Sequence, residues 1–363
     1  MEPRLPNSTI AASRPCPRCS LGPVAALALV CTTLLLAAPA RAEPSFKFAS
    51  AAEGRVLLSA RDEFIEHMSP FDRAVRLRAD REISESEYLA FVAQGVLEWE
   101  SKEKRTVECA LQQIGPALAR LFPPLREPVY LVKTAGQEEF GAAYTRGHAI
   151  VLPSPTLRLV LASQWLLRRT LAHEFFHIFS RSNPKLRSAL YEAIGFHYCG
   201  KVEIPVALHS RMVINPDAPG TDQCIRVSYS GKSVWAVPIV HPPKYNEAAG
   251  WDMAALFTPS LLLVEKAGPS GLARPIVGAD GPLLVGVDSV SGFFEQIGRN
   301  TSYIIHPEEI LAENATLLAL GQRIVPSPEI LNRIAALLKG DANPGQSGGE
   351  VSTVPKSDCS DAG

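Results

Sequence analysis

Five consecutive residues, His173-Glu174-Phe175-Phe176-His177, combine the side chains that hold a divalent metal with one that moves a proton. On a helix each residue turns the chain by about 100°, so positions four apart lie only about 40° apart around the axis. Both imidazoles therefore face one point and share an ion. Glu174 projects beside that point, within reach of a water on the ion and outside the ligand set. This is the H-E-x-x-H arrangement, in which the ion is zinc and the glutamate is the general base. A catalytic zinc takes three protein ligands and keeps a fourth position open. The third is not the histidine of the longer H-E-x-x-H-x-x-G-x-x-H pattern, because Ser180 and Asn183 stand at its glycine and histidine positions. A carboxylate is needed. Glu192 offers one in Tyr191-Glu192-Ala193-Ile194-Gly195. Glu309 and Glu313 offer a pair, one helical turn apart and beside Ile310, Leu311 and Ala312.

The segment around His173 looks like the active-site helix of zincin metallopeptidases, and the chain is similar to gluzincins, in which a later glutamate completes the site. Glu309-Ile310-Leu311-Ala312-Glu313 resembles the third-ligand helix of lethal-factor-like and Pro-Pro endopeptidase gluzincins. The resemblance implies that Glu309 binds Zn2+, with Glu192 and Glu313 as alternatives, and that Tyr303 stabilises the oxyanion. His306, just before the same helix, is a second candidate oxyanion donor. The resemblance also implies that the strand preceding the metal helix is a sheet edge that aligns an extended peptide by β-augmentation. Ala149, Ile150 and Val151 are the candidates for that contact. Together these features lead us to expect a zinc metallopeptidase acting on a peptide or protein substrate. The rival expectation is a catalytically silent zincin fold that binds a partner through its Pro-rich middle region. Glu174 favours the enzyme, since metal binding alone has no use for it.

The elements that must position these residues give an α+β chain with a zincin-like plan. Residues 43–123 form a helical front lobe, with Leu111, Ile114, Leu118 and Leu121 at three- and four-residue steps and Pro123-Pro124 closing it. Residues 124–200 hold a small mixed sheet and the metal helix. Ser154-Pro155 starts a helix whose apolar periodicity runs to Phe179, with Leu167, Leu171, Phe175 and Ile178 as its core face. Residues 201–305 are rich in Pro and Gly with short β-type runs, and irregular β structure is expected there. Residues 306–339 carry two helices, and the polar segment 340–363 has too little apolar surface to pack.

Lys and Arg number 36 against 37 Asp and Glu, with no basic stripe, so nucleic acid is an unsuited partner. Arginines at 4, 14 and 18, an apolar run over 24–38 and Ala40-Arg41-Ala42 read as a signal peptide over residues 1–42. That run is shorter than the roughly 20 residues a membrane span wants. The mature chain is expected to be secreted or periplasmic, without a spanning helix. Cys16, Cys19 and Cys31 leave with the leader. Of the remaining four cysteines, Cys199 and Cys224 flank a Pro- and Gly-rich stretch and are the expected disulfide.

Overall fold

The computed structural model describes residues 43–241, 259–267 and 272–340. The expected leader and the segment beyond Gly340 lie outside the described residues. Strand β1 (Phe46–Phe48) opens the chain and is followed by α1 (Ala51–Ser59), α2 (Glu63–His67), α3 (Pro70–Arg76) and α4 (Glu85–Gln94). Ser50, Asp62, Ser69 and Ser84 start these helices, each accepting a backbone N–H of the first turn on its side-chain oxygen. Next come β2 (Val96–Leu97) and the 21-residue α5 (Ser101–Leu121). Residues 43–123 thus hold five helices and also lend β1 and β2 to the sheet that follows.

That sheet adds β3 (Val129–Thr134), β4 (Tyr144–Arg146) and β5 (Ala149–Pro153). Its order is β1-β3-β5-β4, with β1, β3 and β5 parallel, β4 antiparallel to β5, and β2 antiparallel to β3. This corrects the expected edge. β5 is an interior strand with a neighbour on each side, and Ala149, Ile150 and Val151 are fully buried. No peptide can lie along it. The edge is β4, whose Tyr144-Thr145-Arg146 is too short and too polar to read as a strand by alternation. Gly147, with φ of 54°, turns the chain back from β4 into β5.

The helix expected over 154–179 is two helices, α6 (Ser154–Leu161) and α7 (Gln164–Ser182). Ser163 divides them by accepting the Leu166 N–H, so a capping side chain overrides a continuous apolar pattern. Asn183-Pro184 ends α7 and starts α8 (Pro184–Ala193). α7 is buried all round from Leu171 to Ser180. On its core side Phe122 packs against Phe175, Phe176 and Phe179, with the Phe122 and Phe179 rings 4.8 Å apart. Each buried phenylalanine contributes roughly 1.5–3 kcal/mol. That packing fixes the roll of α7, and hence the direction of its histidines.

The middle region is more regular than its composition suggests. β6 (Phe196–Tyr198), α9 (Val206–His209), β7 (Gln223–Tyr229), β8 (Lys232–Ile239), β9 (Ser260–Ala267) and β10 (Leu272–Pro275) are followed by β11 (Val277–Gly278), β12 (Gly281–Pro282) and β13 (Leu284–Val285). β10-β9-β8-β7-β6 form an antiparallel sheet with β13 paired to β9, while β11 and β12 make a small separate hairpin. The Cys199–Cys224 disulfide is present and closes the loop that carries α9. The chain ends its described part with α10 (Phe294–Ile297), α11 (Pro307–Ala319) and α12 (Pro328–Lys339). Among the described residues no helix is long and apolar enough to cross a membrane.

Candidate metal centre

α11 lies against α7, pressed there by Ile310, Leu311, Ala315 and Leu318, all at most 1% exposed. This packing carries Glu309 to the two histidines. Glu309 Oε2 is 3.1 Å from His173 Nε2 and 3.5 Å from His177 Nε2. A tetrahedral ion with bonds of about 2.0–2.1 Å holds its ligand atoms about 3.3–3.4 Å apart, so these separations suit three ligands of one zinc. The His177 Nε2 and Glu174 Oε2 atoms are buried without a hydrogen-bond partner. Buried polar atoms without a protein partner, set beside a carboxylate, are suited to a cation. His173, His177 and Glu309 thus form a group that could hold a metal ion.

Each imidazole is also backed by a carboxylate. Glu313 Oε1 lies 3.1 Å from His173 Nδ1, and Arg169 pairs with the same glutamate. Glu308 Oε1 lies 3.4 Å from His177 Nδ1, while its Oε2 accepts from Ser180 Oγ at 2.9 Å and from the Tyr191 hydroxyl at 2.6 Å. A carboxylate at Nδ1 favours the tautomer that leaves Nε2 to serve as a ligand. Burial opposes a charge on His173, but hydrogen bonds to Glu309 and Glu313 outweigh it and raise its pKa to about 9. For Glu309 the balance runs the other way: burial favours the neutral acid, yet the charges of the two histidines keep it ionised. Glu174 is raised, by burial first and then by the nearby charge of Asp217.

No known family, characterised protein or solved structure matches this chain. The geometry of the centre alone bears on what it does.

Of the sequence candidates, His173, Glu174, His177, Glu309 and Glu313 come together. Glu192 does not: it sits exposed on α8. Tyr303 is at the centre, its ring 6.4 Å from that of His173. Burial raises its pKa, which keeps the hydroxyl protonated. His306 lies next to this cluster as the N-cap of α11, its Nδ1 accepting the Glu308 N–H at 3.1 Å.

Three residues of the centre were not singled out from the sequence. Glu308 carries no sequence signal that separates it from its neighbour, since Pro307-Glu308-Glu309 offers two adjacent carboxylates. Asn215 donates Nδ2 to Glu309 Oε1 at 2.7 Å, leaving Oε2 alone for the histidines. Asp217 offers a carboxylate oxygen within 4.8 Å of ligand atoms on Glu174 and His177. Both lie in a loop whose Asn215-Pro216-Asp217 carries no signal beyond that of a turn.

Proposed function

We propose that this chain is a zincin-like, zinc-dependent metallopeptidase that hydrolyses amide bonds, with His173, His177 and Glu309 as metal ligands and Glu174 as general base. One observation carries the proposal: His173 Nε2 and His177 Nε2 converge on Glu309 Oε2 at tetrahedral spacing, beside a buried glutamate that is not itself needed as a ligand. Zinc bound there would polarise the substrate carbonyl and lower the pKa of a water towards about 7. Glu174 Oε2 takes the proton of the attacking water and returns it to the departing amide nitrogen. The Tyr303 hydroxyl, kept protonated by burial, donates to the oxygen on which charge develops. Glu308 and Glu313 act only through the imidazoles. A peptide or protein substrate fits the antiparallel edge strand β4, and an oxidising compartment outside the cytosol fits the Cys199–Cys224 bridge.

The test is elemental analysis combined with cleavage of a peptide library. The wild type is expected to hold one zinc per chain and to lose cleavage with a chelator, and Glu174→Gln to keep the zinc and lose most turnover. Full turnover in zinc-loaded Glu174→Gln overturns the mechanism. Zinc without cleavage by the wild type or any variant that holds the metal favours the silent binding protein.

A further inference from the structure

The edge strand and the metal centre are both occupied by one loop. Among the described residues β4 is an edge strand of its sheet, and in its antiparallel register with β5 the Thr145 N–H turns outward. An incoming peptide would take that N–H as its first ladder bond. Asp217 Oδ1 already takes it at 2.8 Å, and the Thr145 hydroxyl donates to the same oxygen. The same carboxylate stands within 4.8 Å of Glu174 and His177 ligand atoms. Facing it are His177 Nε2 and Glu174 Oε2, buried and without hydrogen-bond partners.

The loop is built to hold this position. Arg181 Nη2 donates to the Asp217 carbonyl at 3.2 Å and to Thr145 Oγ1 at 2.9 Å, and Arg181 Nη1 donates to the Gly147 carbonyl at 2.7 Å. Asn215 ties the loop to Glu309, and its Oδ1 accepts the Asp217 N–H at 3.0 Å. Farther back, the buried Asp72–Arg76 pair grips Ile214 by both backbone groups, with its N–H on Asp72 Oδ2 at 3.1 Å and its carbonyl on Arg76. The disulfide joins the two ends of the segment, at Cys199 and Cys224.

We infer that Asp217 is an internal occupant of the metal centre: its carboxylate fills the approach to the fourth metal position and the outward N–H of β4, so the resting chain is closed to substrate. This rests on the metallopeptidase proposal above and adds to it a residue that competes with substrate instead of serving it. Two sites that a peptide needs at once, the edge N–H for alignment and the open metal position for its carbonyl, are blocked by one side chain. A peptide must displace Asp217 from both. Because Thr145, Arg181 and Asn215 all hold it, that displacement limits how strongly any ligand binds the metal.

The experiment uses the mature chain loaded with Co2+ in place of zinc and titrated with acetohydroxamate, followed by the cobalt absorption spectrum. Asp217→Ala removes the carboxylate, and Asp217→Asn keeps an acceptor for Thr145 while removing the charge. Both variants are expected to bind cobalt and to bind acetohydroxamate more tightly than the wild type, roughly 10- to 100-fold for the alanine, the range over which groups beside a metal alter its binding. Peptide cleavage should rise in parallel. Equal hydroxamate affinity in the wild type and in both variants overturns the inference while leaving the metal centre intact. Loss of cobalt from both variants, with the wild type still loaded, also overturns it, since Asp217 would then be required to hold the ion. Failure of the wild type itself to take up cobalt overturns the metallopeptidase proposal, and this inference with it.

Discussion

His177 and Glu308, 131 residues apart in sequence, meet in the core with Nδ1 and Oε1 3.4 Å from each other. The glutamate is 1% exposed and takes two further hydrogen bonds, from Ser180 and Tyr191, so its orientation is fixed by α7 and α8 together. A carboxylate so placed sets which imidazole nitrogen carries the proton. Glu308→Gln keeps the shape but loses the charge and replaces one of the two accepting oxygens with an NH2 donor. It is expected to weaken zinc by roughly 10- to 100-fold and to destabilise the fold by about 1–3 kcal/mol, because its single oxygen cannot accept from His177 and from the Ser180 and Tyr191 hydroxyls at once. Chelator-competition titration and thermal melting measure the two effects, and a zinc Kd equal to that of the wild type would rule out the orienting role.

Among the glutamates, Glu309→Ala should cost the most zinc, because it removes the oxygen on which both Nε2 atoms converge. Glu313→Ala should be intermediate, as it touches only His173 Nδ1 and shares its charge with Arg169. Glu192→Ala should leave zinc binding at the wild-type value, being exposed on another helix. Inductively coupled plasma measurement of zinc per chain after gel filtration ranks the three. Any order that puts Glu192 first contradicts the assignment.

How much of this was legible in the sequence follows from distance along the chain. His173, Glu174 and His177 share one helical turn, so helix geometry alone aims them. Glu309 and Glu313 could be proposed because they share another turn and a resemblance. Asn215, Asp217 and the orienting role of Glu308 depend on how α7, α11 and the disulfide-closed loop pack, and no local pattern encodes that. The edge strand failed for a related reason. A buried run such as Ala149-Ile150-Val151-Leu152 announces a strand but not its neighbours, and the three residues of β4 announce nothing. His306 shows how one residue type serves two ends, since an imidazole suited to chemistry also caps a helix here.

The buried cluster that grips the loop should leave a pH signature. Glu139 packs against Arg76, which it shares with Asp72, and its pKa is raised to about 8 by burial first, with Arg76 pulling it back and Asp72 pushing it up. The folded chain thus keeps a proton on Glu139 that the unfolded chain releases near its ordinary value of 4.5. Between those two values the folded state binds more protons, so this contribution to stability is greatest in acid and falls as pH rises towards 8. Relative to Glu139→Gln, the wild type is expected to lose on the order of a few kcal/mol across that window. Urea unfolding of both proteins at matched pH reads the difference, and parallel curves would exclude Glu139 as the titrating group.

The Cys199–Cys224 bridge yields the last prediction. Its two cysteines are 25 positions apart, and the segment they close includes α9, Asn215 and Asp217. Cross-linking a loop of that length removes unfolded-state freedom worth roughly 3 kcal/mol in the chain-entropy model. The bridge is anchored at both ends, because Cys199 N–H bonds the Asp222 carbonyl at 2.9 Å while Cys224 lies in β7 opposite His197. Cys199→Ser with Cys224→Ser should therefore lower the thermal midpoint by several degrees while β6 and β7 remain paired. The site itself should respond as well, since the freed segment holds Asn215 against Glu309 and Asp217 against Thr145 less firmly. The double variant is thus expected to combine lower stability with tighter acetohydroxamate binding to the cobalt form, a pairing that general loosening does not produce, because a loosened metal centre would lose cobalt before it gained a ligand. Lower stability with unchanged hydroxamate binding would confine the disulfide to a role in the fold.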